Sequence, residues 1–242
     1  MPGRSRVFPE HHHGHRDVTG GSLRPAVFGF SDGLVSNVAL MAGVAGGAAA
    51  AGADPSAVLI AGLAGLVAGS FSMAAGEFVS VSSQSELAAA EIEAERRELS
   101  RSPEAEAAEL ARLWESRGLD RATAEQVARQ ISRDPKTALE VHAREEIGLV
   151  EAELPSAWRA AWSSLAAFAV GAMVPLLPYL LGARALAISL ACSAVAAFGA
   201  GVLVSRLTVR SWWFGGLRQL LVSAAAAGVT YAVGALIGSA VG

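Results

Sequence analysis

The chain of 242 residues has one cysteine, Cys192, one lysine, Lys136, and little charge outside a central segment. A single thiol excludes a disulfide framework or a cysteine-based zinc site within one chain. Cys192 lies in an apolar run and reads as a small packing residue. No glycine-rich nucleotide loop, nucleophile elbow or zinc-protease helix occurs, so hydrolytic pumping has no motif here, and uphill transport would draw on an ion gradient or a partner. A net charge of −3, without a basic patch interleaved with aromatics, argues against nucleic acid as a partner. The first 24 residues lack the apolar core of a secretory signal and read as a cytoplasmic tail.

What is abundant is apolar sequence, 52 % of residues, with a mean hydropathy of +0.42. It is concentrated in five charge-poor stretches, 25–53, 55–76, 160–183, 185–205 and 219–242. Each reaches the ~20 residues that cross a hydrocarbon core as a helix. The expected fold is therefore an all-α membrane protein with five transmembrane helices and a helical-bundle insert between the second and third. The expected divisions are a tail (1–24), transmembrane helices 1 and 2 (25–82), an acidic metal-binding domain (83–158) and transmembrane helices 3 to 5 (159–242). Arginine and lysine gather in the tail, the insert and the link before the last span. By the positive-inside bias these face the cytoplasm and the C-terminus lies on the far side.

Within the spans, Gly65 and Gly69, and Gly234 and Gly238, are four residues apart. That spacing suits close helix packing inside one chain or across a dimer seam. Pro175 and Pro178 should kink the third span or end it early. The second span meets no glycine or proline from Glu77 to Arg101, which predicts one helix running out of the bilayer until Ser102-Pro103. Further helices should end at Gly118, start at Asp120 or Thr123, and start again at Asp134-Pro135. Leu154-Pro155 leads back to the membrane.

Eighteen of the 22 carboxylates lie between Glu77 and Arg159. Glu91, Glu95 and Glu98 share one face of the long helix, and Glu106 and Glu109 share a face of the next. A reversal at Pro103 folds these faces together, which needs cations, or arginines such as Arg96, Arg97 and Arg101, to offset the repulsion. His142 and Glu146, four apart, add an imidazole and a carboxylate. In the spans, Asp32 interrupts 29 otherwise apolar residues; it either faces a polar path or lies near enough to the interface to hydrate. Met73 and Glu77 share a helix face, a donor pair suited to a borderline divalent metal. His11, His12, His13 and His15 fit loose Zn2+, Ni2+ or Cu2+ binding, or a tail without a site.

These residues bring a family with them. FGFSDGLVSNVALMAGVAGG, AGLAGLVAGSFSMAAGEFVSVSSQSE and HAREEIGL, together with five spans and an insert after the second, resemble the vacuolar iron transporter family over nearly everything after His15. The resemblance implies a homodimer that exchanges Fe2+ or Mn2+ for protons, with Zn2+ and Co2+ as further candidate cargo, no resident cofactor and no enzymatic activity. It assigns the family's intramembrane acid to Asp32 and its pore methionine to Met73, with Glu77 in the same motif. The family's E-x2-E-x7-E-x2-E falls on Glu95, Glu98, Glu106 and Glu109, and its late methionine and glutamate on His142 and Glu146. A histidine in place of a thioether is a departure from the plant pattern, and it bears on metal preference and pH range. The Ala, Gly and Arg-rich composition points to a bacterial plasma membrane. The competing readings are a metal-responsive membrane sensor or scaffold, and a membrane enzyme using paired carboxylates.

Overall fold

The computed structural model describes residues 23–52, 54, 56–149, 154–183, 185–207 and 211–241. The expected tail up to residue 22, its histidines and Arg184 lie outside them. Every regular element among the described residues is helical: α1 (Leu23–Ala51), α2 (Ser56–Arg101), α3 (Pro103–Ser116), α4 (Arg121–Ile131), α5 (Pro135–His142), a π-helical turn (Ala143–Ile147), α6 (Ala157–Leu180), α7 (Leu186–Leu207) and α8 (Trp212–Val241). Five of these, α1, α2, α6, α7 and α8, are long and apolar enough to cross a bilayer. The protein is an integral membrane protein.

Helix α2 is the long element that the unbroken run to Arg101 predicts. Its 46 residues extend about 69 Å at 1.5 Å per residue, roughly twice the hydrocarbon thickness. Two contacts mark where it leaves the spans. Phe78 packs on Trp158 at the start of α6, ring centroids 4.8 Å apart, and the Ser85 hydroxyl donates to the Pro155 carbonyl at 3.1 Å. Trp158, Trp162, Trp212 and Trp213, near the starts of α6 and α8, are exposed, as suits aromatic rings at headgroup level.

Small residues let α1 sit against α6 and α8 with almost no side chain between the backbones. Gly33 abuts the Phe168 carbonyl, Gly171 the Phe30 carbonyl, and Gly43 and Gly47 meet Gly234 and Gly238. The Thr230 hydroxyl donates across to the Ala39 carbonyl at 2.7 Å, an interhelical bond of the kind that substitutes for hydrophobic driving force in lipid. Gly65 and Gly69 make room for Asn37, Leu40 and Phe168. Both glycine pairs singled out in the sequence thus serve packing within the chain.

Some expectations are corrected. Pro175 does not end α6; the helix continues to Leu180, and the Ser189 hydroxyl of α7 donates to the Pro175 carbonyl. The last span begins at Trp212, ahead of the charge-poor stretch that starts at residue 219, and takes in Arg218. Cys192 is exposed rather than packed inside, because its face of α7 points away from the bundle.

Between the spans, α3, α5 and the π turn fold against the distal half of α2, and α4 packs on α3. Leu110, Ala111 and Ala128 form the core there, with Trp114, Ile131 and Val141 against it. Ser102 marks the turn into α3 but makes no side-chain cap; its carbonyl accepts from Ala105 and Glu106 instead. Asp120, not Thr123, caps α4 by accepting from the Thr123 N–H at 3.1 Å, and Asp134 caps α5 in the same way through Thr137. Gly118 and Gly148 take φ of +102° and +73°, the left-handed conformation that closes a helix most readily at glycine.

The helix crossings predict a contrast. A Cβ at Gly234 would overlap the Gly43 carbonyl, whereas one at Gly199 meets nothing within 4 Å. Gly234→Ala is expected to cost about 1–3 kcal/mol and Gly199→Ala to stay within about 1 kcal/mol of the parent, read by unfolding in mixed micelles. Equal effects would show that the α1–α8 crossing is not this tight.

Candidate functional site

Asp32, Met73 and Glu77 line one cleft of about 410 Å³ between α1 and α2. Its floor is Phe168 of α6, and the ring seats there because Gly69 has no side chain. Antiparallel packing of α1 on α2 sets the order of polar groups by depth: Glu77 nearest the distal bundle, Met73 and Asp32 next, and Asn37 opposite Gly65 deepest. Asp32 is exposed, and one of its oxygens accepts from the Ser36 hydroxyl at 2.6 Å. The cleft is therefore an oxygen-rich groove with one thioether, cut into the apolar part of the molecule.

The second group of donors lies in the distal bundle. His142, fully buried at the end of α5, places Nδ1 3.1 Å from Glu95 Oε1 and 3.0 Å from Glu146 Oε1. Glu106 Oε2 is 3.9 Å away. Ligand atoms of Glu95, His142 and Glu146 lie within 4.8 Å of one another. The contacts to Nδ1 are close but not aligned as hydrogen bonds, so both ring nitrogens and Glu95 Oε1 are left without partners. Buried polar atoms of this kind are costly unless something fills the gap.

Local structure explains the approach. Glu95 is buried on α2, 6 % exposed, in a stripe with Val81, Ala88 and Ile92. The chain leaves α5 at His142 as a π turn, not as the continuous α-helix that the His142–Glu146 spacing predicts. The Glu146 side chain nevertheless reaches the imidazole and stays 19 % exposed. Arg117, at the end of α3, holds Glu145 of the π turn in an ion pair and stacks over Trp114 at 5.3 Å. Nothing in the sequence links Arg117 to Glu145.

The charge is not balanced by arginine. Arg96 pairs with Glu93 at 3.7 Å, the Arg97 Nε donates to the Glu93 carbonyl, and Arg112 pairs with Glu109 at 4.0 Å. Among the described residues no arginine pairs with Glu95, Glu106 or Glu146, so the ion pairs of the hairpin leave these three carboxyls uncompensated. Burial raises the carboxyls of Glu95, Glu106 and Glu146 above the ordinary range, and the neighbouring glutamates add to it, against a lowering by His142. Glu98 and Glu109 are exposed and act on the others as nearby negative charges. Glu91 is exposed and does not belong to the cluster. Of the six glutamate and histidine positions assigned in the sequence, four converge and two stand at the rim.

Glu77 and Glu95 are eighteen residues apart on α2, five full turns at 3.6 residues per turn, or about 27 Å. The same face of one helix therefore serves both groups of donors. Sequence reasoning passed over Asn37 and Ser36, although two polar residues four and five positions after Asp32 in an apolar helix are a signal.

A pH dependence follows. Carboxyls raised above about 4.5 contribute stability that is fully present below that value and is lost as pH rises through the raised values. The caps Asp120 and Asp134 are lowered by their threonine hydrogen bonds and so stay charged through the same window. In the metal-free protein, hydrogen exchange in residues 95–146 is expected to slow as pH falls from 7 toward 5, after correction for intrinsic rates. Glu95→Gln should flatten that dependence. A pH-independent protection pattern would contradict the raised carboxyls.

Comparison with known proteins places this arrangement. Residues 23–235 match the VIT family. A vacuolar iron transporter of Acanthamoeba castellanii is 42 % identical over 159 residues, covering 66 % of this chain and 56 % of that protein. Vacuolar iron transporter 1 of rice, Oryza sativa subsp. japonica, is 31 % identical over 225 residues, 91 % of this chain and 88 % of its own length. Vacuolar iron transporter 1 of Arabidopsis thaliana is 34 % identical over 171 residues, 70 % of this chain and 67 % of its own. With its five apolar helices and the intervening helical bundle, the chain belongs to the VIT family.

Proposed function

We propose that this protein carries Fe2+ or Mn2+ out of the cytosol in exchange for protons. The observation that supports this reading is a single helix face connecting the Glu95–His142–Glu146 cluster, which no arginine among the described residues neutralises, with the cleft of Asp32, Met73 and Glu77 in the spans. The relatives named vacuolar iron transporters support a metal as cargo. A sensor would need the cluster alone and has no use for a carboxylate and thioether in an apolar groove.

In this reading the bundle is cytoplasmic and collects the ion. Three carboxylates and an imidazole suit a borderline divalent metal, whereas Ca2+ and Mg2+ prefer oxygen alone. Zn2+ and Co2+ compete for the same donors. The ion passes to the cleft, where Met73 and Asp32 bind it. Protonation of Asp32 from the far side removes the charge that holds the ion and releases it, so the two fluxes are coupled.

The cleft is open along the side where Asp32 and Ser72 are exposed. A carboxylate in a groove facing lipid is costly, so in this reading a second copy of the chain closes it. The working form is a homodimer, in a bacterial plasma membrane, with the C-terminus on the far side.

Proteoliposomes with an imposed pH gradient test the proposal. Wild-type protein should move Mn2+ and Fe2+, and Asp32→Ala should lower flux at least about a hundredfold, the scale of losing a charged ligand in an apolar site, while the dimer persists. Wild-type rates for Asp32→Ala would remove it from the mechanism. In a separate measurement, replacing Glu95, Glu98, Glu106 and Glu109 by Gln should weaken metal binding to the full-length protein by at least about tenfold. Strong binding with no flux in the wild type would favour the sensor.

A further inference from the structure

Asn37 is 2 % exposed on α1. Its side-chain amide donates through Nδ2 to the Ala172 carbonyl of α6 at 2.7 Å. That bond fixes which way the amide faces, because turning it over would set its carbonyl against the Ala172 carbonyl, acceptor to acceptor. Asn37 Oδ1 is consequently aimed at α2 and has no hydrogen-bond partner. It lies in the wall of the cleft that holds Asp32 and Met73. The gap in front of it exists because residue 65 is glycine: a Cβ there would sit 2.8 Å from Oδ1.

Packing does not account for this atom. The tie to α6 uses only the amide nitrogen, and an acceptor left bare in a membrane-spanning segment is destabilising. An amide oxygen in a groove with a carboxylate and a thioether is what a partly dehydrated divalent cation would bind, since amide carbonyls serve as hard neutral ligands. Its depth adds to the argument. Asn37 is five residues beyond Asp32, about 7.5 Å further from the distal bundle.

Resting on the transport reading above, we propose that Asn37 Oδ1 is an uncharged ligand for the cation at the deep end of the cleft, with Gly65 keeping access to it open. An ion leaving Asp32 meets an oxygen whose affinity does not change with protonation. Asn37 can therefore hold the ion while Asp32 takes up its proton, and it holds weakly enough to let the ion go.

The test uses full-length protein in detergent, with Glu95→Gln and His142→Ala disabling the bundle site, and follows Mn2+ binding by loss of the free-ion paramagnetic resonance signal. Asn37→Ala and Gly65→Ala should each weaken the remaining binding by about tenfold or more, the worth of one hydrogen-bond-like contact to a charge. Gly65→Ala keeps the Asn37 amide and the Ala172 carbonyl while its Cβ crowds Oδ1 and Leu40 Cδ2; paired with Leu40→Ala, which removes the second clash, it reports on access even if Asn37→Ala unfolds. In liposomes, Asn37→Asp on the otherwise wild-type chain should lower both KM and maximal flux, because the deep site then holds the ion by charge. Unchanged Mn2+ affinity in folded Gly65→Ala would overturn the proposal and leave Asn37 as a tie between α1 and α6. If the parent binds Mn2+ through Asn37 but moves none, the transport reading fails and the ligand stands.

Discussion

The fixed pitch of α2 is the constraint on which the other features depend. A helix that crosses the bilayer and continues without a break transmits its angular register from one end to the other. Val81, Ala88, Ile92 and Glu95 form one buried stripe, and Glu77 lies on its extension into the cleft. A glycine or proline between Glu77 and Arg101 would have allowed the two halves to rotate relative to each other. The sequence has neither, so the orientation of the cluster follows from that of the cleft.

Packing around α1 supplies the second condition. A polar groove can exist in a thin helical bundle only if its walls are held by contacts that do not need the groove to be filled. Here the walls are held by backbone against backbone, at Gly33 on Phe168 and Gly43 on Gly234, with the Thr230–Ala39 and Asn37–Ala172 hydrogen bonds alongside. These contacts depend on close approach, which favours small residues in lipid where burial of apolar side chains gives little preference. The large side chains left over, such as Ile60 and Phe71, face outward.

In the distal bundle the charge arrangement runs against stability. Arginines are near, yet they are taken up by Glu93, Glu109, Glu125 and Glu145. What remains around His142 is a set of acceptors whose carboxyls are raised mainly by burial. Such a cluster is stabilised by whatever positive charge enters it, proton or metal. The Arg117–Glu145 pair and the π turn hold Glu146 against the ring, and the repulsion is thereby carried by the fold.

How much of this was legible depends on the range of the interaction. Span number, the length of α2, the turns at Gly118 and Asp134, and the candidate acids follow from hydropathy, propensity and capping, which act over a few residues; a repeated helical period carried Glu77 and Glu95 onto one face over a longer run. Asp32 stood out because a carboxylate in an apolar helix is costly wherever it lies. Other matters required the tertiary structure. Which glycines meet which helix, the loss of Glu98 and Glu109 to the rim, the π turn after His142, the Arg117–Glu145 pair and the bare oxygen of Asn37 all depend on neighbours far away in the chain. The sequence by itself determined which residue types are present and on which helical face they lie. Only the fold decided which of those groups find partners and which are left without one, because that depends on distances between segments that no local propensity sets.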